Sequence, residues 1–303
     1  MPPSVALPLG RPGRSTEAPP GPRAAADCVA FAEVDELLGA TAGPGPTASE
    51  ASYARFLSSR ERARWQAIEH PGRRRQWLAA RLVAKHLLVV RGAELGSSHQ
   101  TVWPPRLEVV RRTDLLRGGC ADYRGAELLA RGTPRGGAPR LVWRGEDASH
   151  LLAVSLSHAG RWVAVASSAG ATVGVDIELV EDRHAAFTRY AFTSGEESWA
   201  RRTAALIAIR SEVLFALLWT LKEAAYKTGR FGDWSLARIE VVLEGALPLA
   251  TGSGLATLPR RVPALALRLF RDGRPRGGRG AAIVTPAWVL SVVCEAGGSA
   301  AHG

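Results

Sequence analysis

Two carboxylates stand two residues apart in the segment VGVDIEL, residues 173–179. Side chains alternate between the two faces of a β-strand, so Asp176 and Glu178 are expected on one face and Val175 and Ile177 on the other. Two like charges on one face of an apolar strand repel each other, and a bound cation relieves that repulsion. Mg²⁺ suits such oxygen ligands and binds one or two carboxylates together with substrate phosphates. The alternative is a solvent-exposed face of an edge strand.

A second charged group lies in WTLKEAAYK, residues 219–227. Glu223 and Lys227 are four residues apart and share one face of a helix, with Lys222 beside that face. Lysine and arginine together number 39, yet only Lys85, Lys222 and Lys227 are lysines. A lysine is a compact charge whose pKa shifts readily, which suits phosphate binding and proton transfer. This preference argues against the alternative, an ordinary surface ion pair between residues four apart.

Two further groups of residues could bind phosphate. Ser157 and His158 in SLSHAGRW end a predicted strand before a turn at Gly160, and beside basic side chains they would form a phosphate-binding corner. A lone histidine is otherwise more often structural. A basic helix pair could clamp a phosphorylated ligand or simply present a solvated charged face. Its arginines are Arg60, Arg62, Arg64, Arg73, Arg74, Arg75 and Arg81.

Short β-branched segments predict the strands that must position these residues. They are LLAVSLSH, RWVAVASS and ATVGVDIELV, the last two joined as a hairpin through Ala169 and Gly170. Further strands are expected at LARIEVVLEG, LALRLFRDG and AAIVTPAWVLSVVCEA.

Helical periodicity predicts two helices at FLSSRERARWQAI and RRRQWLAARLVAKHLLVVRG, separated at Pro71 and Gly72. Another helix begins at FTSGEESWA with Ser194 as its cap. The strongest helix is SEVLFALLWTLKEAAYK, with Ser211 as its N-cap and Gly229 just past its end.

This order of elements predicts an α+β fold of two similar halves. We expect a disordered tail at residues 1–27, an N-terminal half at 28–169 and a C-terminal half at 170–296 that carries GVDIE and WTLKEAAYK. Residues 112–140 are expected to be a loop insertion in the N-terminal half, and residues 297–303 a second disordered tail.

Composition bounds the class of protein. The 303 residues are 46% apolar and 22% charged, which is typical of a globular chain, and the net charge of +11 predicts an acidic partner such as nucleic acid, an anionic membrane, a phosphorylated cofactor or an acidic protein. Cys28, Cys120 and Cys294 form no CxxC pair, so neither a disulfide framework nor a zinc site is expected. The chain shows no signal-peptide core and no apolar run long enough to span a membrane, so we expect a cytoplasmic protein.

Together, GVDIE and the later W-x-x-KEA-x-x-K resemble the signature pair of the 4′-phosphopantetheinyl transferases. SHAGRW and the LSSRERAR helix before it are similar to the surfactin-synthetase-activating (Sfp-type) branch, and FTSGEESW looks like the family's F-S/T-x-x-E element. The resemblance covers roughly residues 53–245. Two departures are Ala159, where the family often has serine, and GGAPR at residues 136–140, where it usually has GKP.

The resemblance implies an activity and a fold. Such enzymes, holo-acyl-carrier-protein synthases, use Mg²⁺ (or Mn²⁺) to transfer the 4′-phosphopantetheine arm of coenzyme A to a serine of a carrier protein, releasing adenosine 3′,5′-bisphosphate. The implied fold is a pseudo-twofold monomer of two α+β halves with the active site in the cleft between them. The implied partner is an acidic acyl or peptidyl carrier protein of fatty acid, polyketide or nonribosomal peptide synthesis, with no nucleic acid or membrane partner.

The resemblance also implies roles for individual residues. Asp176, Glu178 and Glu223 match the Mg²⁺ ligands, and Lys227 matches the lysine that contacts the phosphates and assists the leaving group. Glu223 is the candidate base, acting directly or through water. The residues that match coenzyme A contacts are Ser157, His158, Lys222 and Lys227, with Arg64, Arg74 and Arg75 in a looser alignment.

Two other functions fit part of the pattern. A Mg²⁺-dependent nuclease also uses a DxE with a nearby lysine, although the order and spacing of the motifs fit the transferase better. A basic nucleic-acid-binding module is the non-enzymatic alternative, and salt-dependent DNA binding that survives loss of Asp176 would distinguish it.

Overall fold

Two β-sheets pack face to face, and each carries helices on its outer side, so the fold belongs to the α+β class. The computed structural model describes residues 28–40, 48–94, 106–111, 114–115, 126–129, 140–143, 146–147, 152–169, 171–229, 236–250, 252 and 258–296. Both predicted tails, 1–27 and 297–303, lie outside this part of the chain. None of the described helices is long and apolar enough to cross a membrane.

The N-terminal half has a four-stranded sheet in the order β2-β1-β7-β6 and a small sheet in the order β3-β4-β5. Its helices are α1 (Val34–Leu38), α2 (Ala48–Ala54), α3 (Ser59–Gln66) and α4 (Pro71–Glu94). Its strands are β1 (Cys28–Glu33), β2 (Arg106–Val109), β3 (Ala126–Leu129), β4 (Arg140–Trp143), β5 (Glu146–Asp147), β6 (Ala153–Ala159) and β7 (Trp162–Ser168).

The C-terminal half has one sheet in the order β11-β10-β12-β13-β8, with β9 also paired to β10. Its helices are α5 (Ala185–Ala191), α6 (Ser194–Leu206) and α7 (Ser211–Lys227), and a 3₁₀ turn spans Leu236–Arg238. Its strands are β8 (Ala171–Leu179), β9 (Ile239–Glu244), β10 (Ala264–Arg271), β11 (Arg274–Arg276), β12 (Arg279–Val284) and β13 (Trp288–Ala296).

An apolar core joins the inner faces of the two sheets. Val175 and Ile177 of β8 are buried in it, as the alternation of VGVDIEL predicts. Phe31 lies with its ring centroid 5.1 Å from those of both Trp162 and Trp288, so aromatic residues from both sheets meet here. Large buried aromatic surfaces contribute strongly to such an interface, and this packing holds the two sheets together.

Helix α7 lies directly on the outer face of β8, because a glycine allows close approach. A Cβ atom at Gly174 would stand 1.8 Å from the carbonyl oxygen of Ala224, a distance that no side chain tolerates. The outer face of β8 also carries Asp176 and Glu178, two and four residues further along the strand. The close contact therefore brings the last turns of α7 beside both carboxylates.

In the N-terminal half, the contacts of one glutamate, Glu61, join α3, α4 and β3. Ser58 and Glu61 form a capping box at the start of α3. Glu61 also forms a buried ion pair of 2.7 Å with Lys85 of α4 and accepts a hydrogen bond of 3.2 Å from the backbone N–H of Leu128 in β3. A single glutamate thus joins two helices and a strand.

The same contact set occurs in the C-terminal half. Thr193 and Glu196 form a capping box at the start of α6. Glu196 pairs at 2.7 Å with the fully buried Lys222 of α7 and accepts a hydrogen bond of 2.8 Å from the backbone N–H of Val241 in β9. Each half therefore uses a capping glutamate and a buried lysine to fix its long helix.

Strand pairing overturns the predicted hairpin at Ala169 and Gly170. Strand β7 pairs with β1 and β6, whereas β8 pairs with β13, so the two predicted partners lie in different sheets. The hairpin is instead β6–β7, and its turn contains Gly160 at φ 52°. A positive φ favours glycine, which explains the residue at this turn.

Helix boundaries differ from prediction by one residue at two sites. The N-cap of α6 is Thr193, not Ser194, and the N-cap of α7 is Arg210, not Ser211. Gly229 follows the end of α7 with φ 76°, which confirms the predicted stop.

The predicted loop insertion at 112–140 is wrong in one part. It contains β3, which pairs with β4, and Leu128 is buried in the N-terminal core.

Candidate active site

One cavity of about 390 Å³ collects most of the predicted site residues. Its walls come from both halves of the chain, namely from α4, β6, β8 and α7. The predicted residues that line it are Ser157, His158, Asp176, Glu178, Glu223 and Lys227. The remaining lining residues are Trp77, Ala80, Arg81 and Leu156.

Asp176 lies at the centre of the polar contacts. It is 3% exposed, and its Oδ1 accepts hydrogen bonds from Ser157 Oγ at 2.7 Å and Lys227 Nζ at 2.6 Å. Its Oδ2 is buried and has no hydrogen-bond partner within the described part of the chain. A buried carboxylate oxygen without a partner is costly, so a ligand that coordinates this atom would remove the cost.

The two carboxylate oxygens of Glu178 each accept one hydrogen bond. Arg183 donates to Oε2 at 3.0 Å, and the Trp219 indole N–H donates to Oε1 at 3.3 Å. The guanidinium of Arg183 also lies over the Phe187 ring, 4.8 Å from its centroid. Burial raises the pKa of Glu178, and the neighbouring charge of Asp176 raises it further while Arg183 lowers it.

Glu223 shares this electrostatic environment. Burial raises its pKa, Lys227 acts in the opposite direction, and the charges of Asp176 and Glu178 raise it further. The charge of Asp176 therefore disfavours the ionised forms of both Glu178 and Glu223, which is the repulsion that a bound cation relieves.

The carboxylates fit a hard divalent cation by donor chemistry. All three supply oxygen atoms, one of them buried and unpartnered, in one cavity. Among the described residues, no group of three or more Asp, Glu, His or Cys side chains is arranged so that it could hold a metal ion. The positive charge at Asp176 is instead the ammonium of Lys227, and the assignment of metal ligands stays a prediction.

His158 lies beside this cationic group. Partial burial lowers its pKa, and the positive charges of Lys227 and Arg73 lower it further. The imidazole is therefore held in its neutral form near pH 7, in which one ring nitrogen donates a hydrogen bond.

Two predicted phosphate contacts are corrected by the structure. Lys222 is fully buried away from the cavity, where its ammonium donates to Glu196 and to the carbonyl oxygen of Ala191, both at 2.7 Å. Arg75 is also buried and pairs with Asp35 at 2.9 Å and with Glu50. Both side chains have structural partners and point to the helix junctions instead of the cavity.

Arg64 and Arg74 do not line the cavity either. Arg64 is exposed on α3 and Arg74 is half-buried at the start of α4. Their coenzyme A contacts stay predictions. Arg81 does line the cavity, although sequence reasoning placed it only in the general basic set. Its spacing of four from Trp77 was the available signal, since residues four apart share a helix face.

Replacement of Lys222 by methionine should destabilise the fold without changing ligand affinity in molecules that remain folded. It leaves the buried Glu196 without its cation and the carbonyl oxygen of Ala191 without its donor, and a broken buried pair costs about 3–5 kcal/mol. Urea unfolding would measure the loss, and Lys85→Met should give a loss of similar size in the other half. Unchanged stability of Lys222→Met together with a raised KM for coenzyme A would instead support the predicted contact of Lys222 with phosphate.

Comparison with protein families gives a match over part of the C-terminal half. Residues 172–247 match the family model of the 4′-phosphopantetheinyl transferase superfamily. This segment contains Asp176, Glu178, Glu223 and Lys227, so the predicted resemblance is confirmed there at the level of the superfamily. The match supports a transferase that acts on carrier proteins, and the Sfp-type branch stays a prediction. A search of curated proteins found no match to the chain.

Proposed function

We propose that this protein transfers 4′-phosphopantetheine from coenzyme A to a serine hydroxyl of an acyl or peptidyl carrier protein and releases adenosine 3′,5′-bisphosphate. One observation carries the proposal. The acidic residues of two separate motifs lie in a single cavity with Lys227, Ser157 and His158. Carboxylates, a compact cation and neutral hydrogen-bond donors are the groups that phosphoryl transfer requires.

Asp176, Glu178 and Glu223 would hold Mg²⁺, or Mn²⁺ in its place. When bound, the ion would supply positive charge to the pyrophosphate of coenzyme A. Arg183 and Trp219 keep Glu178 oriented through their two hydrogen bonds. These hydrogen bonds would hold the carboxylate in one orientation as a metal ligand.

Lys227 supplies the resident positive charge. Its ammonium reaches Asp176 Oδ1 at 2.6 Å, Ser157 Oγ at 3.2 Å and the carbonyl oxygen of Val175 at 3.3 Å. If the Lys227 ammonium exchanged one of these acceptors for a phosphate oxygen of coenzyme A, its positive charge would stabilise the negative charge on the leaving adenosine bisphosphate.

Glu223 would accept the proton of the attacking serine, directly or through a water molecule. Its raised pKa makes it a better proton acceptor than an ordinary surface carboxylate. The new bond joins the serine oxygen to the phosphorus of the phosphopantetheine arm, and the bond to the adenosine bisphosphate oxygen breaks.

The pseudo-twofold architecture with a central cleft remains part of the proposal. It is supported by strand order, since β1-β7-β6 in one half corresponds to β8-β13-β12 in the other. It is also supported by the paired contacts of Glu61 with Lys85 and of Glu196 with Lys222. The proposal also includes a cytoplasmic monomer and an acidic carrier partner. The net charge of +11 supports the acidic partner, because opposite charges would speed the encounter by electrostatic steering.

Release of adenosine 3′,5′-bisphosphate tests the proposed reaction. The purified protein, coenzyme A and Mg²⁺ would be incubated with apo carrier proteins from fatty acid, polyketide and nonribosomal peptide synthesis, and products separated by chromatography. We expect release with at least one carrier, none with EDTA, and none when the target serine of that carrier is replaced by alanine. Degradation of DNA with no release would favour the nuclease alternative.

A further inference from the structure

Side chains bind the backbone of β8 at the residue that precedes Asp176. Val175 is fully buried, and its N–H donates a hydrogen bond of 3.0 Å to the hydroxyl of Ser155 in β6. Its carbonyl oxygen accepts a hydrogen bond of 3.3 Å from the Lys227 ammonium. Buried backbone groups need partners, and here Ser155 and Lys227 supply the contacts that a neighbouring strand provides inside a sheet.

Strands β6 and β8 lie side by side without forming one sheet. Strand β8 pairs with β13, and β6 pairs with β7. Within the described strands, β6 and β8 each lie at the end of their own sheet, so no ladder of backbone hydrogen bonds joins them. The hydroxyl of Ser155 therefore replaces a strand-to-strand hydrogen bond at the place where the two halves of the chain meet.

Ser155 and Ser157 bind neighbouring parts of β8. They stand two residues apart in β6 and therefore point to the same side of that strand. Ser157 donates to Oδ1 of Asp176 at 2.7 Å, whereas Ser155 binds the backbone one residue earlier. Ser155 is 3% exposed and does not line the described cavity, so its influence on the site passes through β8.

We propose that Ser155 is a positioning residue for phosphopantetheine transfer, because its hydroxyl fixes the backbone N–H next to Asp176 and so holds that carboxylate in place for the metal ion. This inference rests on the proposed function, in which Asp176 is a Mg²⁺ ligand. Loss of the hydroxyl would leave the Val175 N–H buried without its acceptor and would release this part of β8 from β6. Replacing a residue that orients a metal ligand changes metal affinity or activity by about 10- to 100-fold.

Binding of Mn²⁺ and steady-state kinetics test the assignment. For Ser155→Ala, we expect the Kd for Mn²⁺, measured from the EPR signal of the free ion with coenzyme A present, to rise about 10- to 100-fold. The value of kcat should fall about tenfold or more, while KM for the carrier protein stays unchanged because Ser155 does not line the cavity.

Two conservative variants separate the hydroxyl from the space that it fills. Ser155→Thr keeps the hydroxyl in a residue that suits a strand, so it should restore both the Kd for Mn²⁺ and kcat. Ser155→Cys keeps nearly the same size, but its sulfur is a weak acceptor, so both values should change in the same direction as in Ser155→Ala. Ser155→Cys carries the test if Ser155→Ala does not fold.

Ser291→Ala is the matched control. Ser291 is fully buried in β13, its hydroxyl lies 2.7 Å from that of Thr220, and it pairs in register with Asp176 on the opposite edge of β8. The substitution removes the same atom and one buried hydrogen bond, so the urea midpoint should fall to a similar extent as in Ser155→Ala. The Kd for Mn²⁺ and kcat should stay at the wild-type values.

The outcomes separate this inference from the proposed function. Wild-type Mn²⁺ affinity and kcat in Ser155→Ala would overturn the assignment while the proposed reaction stands. Equal losses in Ser155→Ala and Ser291→Ala would overturn it as well, because they would show a general effect of destabilisation. Failure of the wild-type protein to transfer phosphopantetheine would overturn the proposed function and this inference with it.

Discussion

Replacement of Asp176 by asparagine is expected to lower the rate of phosphopantetheine transfer by about three orders of magnitude. Loss of the charge that is proposed to fix the catalytic cation would remove several kcal/mol of transition-state stabilisation. Asparagine has nearly the same shape, so the backbone of β8 and its pairing with β13 are retained. The change removes the negative charge that Lys227 and Ser157 contact and weakens the buried Oδ2 as a metal ligand. The rate of carrier modification at saturating Mg²⁺ and coenzyme A measures this effect.

A surface carboxylate provides the matched control for this experiment. Glu197→Gln removes the same charge from α6, where Glu197 pairs with the exposed Arg201 at 2.9 Å. Its activity should equal that of the wild-type protein. Transfer by Asp176→Asn within about tenfold of wild type would contradict the role assigned to this carboxylate.

Lys227→Arg is expected to lower kcat about 100-fold or more, the size of effect seen when one preorganised donor to a developing charge is lost. The ammonium occupies a small space between Asp176, Ser157 and the carbonyl oxygen of Val175. A planar guanidinium is larger and cannot place one compact charge among these three acceptors. Lys227→Met should lower kcat at least as far.

Steady-state kinetics distinguish this role from simple binding. We expect the main change in kcat, because the charge acts on the leaving phosphate, with a smaller change in KM for coenzyme A. Thermal denaturation of each variant checks that the loss does not come from unfolding, since Asp176 loses a buried partner in Lys227→Met. Full turnover by Lys227→Arg would contradict the proposed task of the lysine.

The local geometry of the site could be predicted from sequence. The alternation of VGVDIEL placed Val175 and Ile177 in the core and left Asp176 and Glu178 on the other face. Helical spacing placed Glu223 and Lys227 on one face, and both line the cavity. These predictions succeeded because each depends on the period of one element.

Predictions that depended on contacts between elements were less reliable. Lys222 is next to Glu223 in sequence, yet it turns away because Glu196, at the cap of another helix, supplies a buried partner. Arg75 and Arg81 both lie on α4, and only packing decides that one pairs with Asp35 while the other lines the cavity. The turn signal at Ala169 and Gly170 did not reveal that the flanking strands enter different sheets.

The scarcity of lysine also has a structural explanation that the sequence did not reveal. Lys85 and Lys222 are each fully buried and paired with a glutamate that caps a helix. A compact ammonium fits a buried cap better than a guanidinium with five donors to satisfy. Of the three lysines, Lys227 alone lines the described cavity.

Intact-mass spectrometry of an apo carrier protein tests the central claim most directly. The carrier would be incubated with this protein, coenzyme A and Mg²⁺, beside parallel reactions with EDTA and with Asp176→Asn. In samples stopped when the complete reaction has just finished, we expect a gain of about 340 Da, one covalently attached phosphopantetheine, in the complete reaction, no gain with EDTA and no more than a trace with Asp176→Asn. An unchanged carrier mass with carriers of all three pathways, or an equal gain with Asp176→Asn, would contradict the central claim.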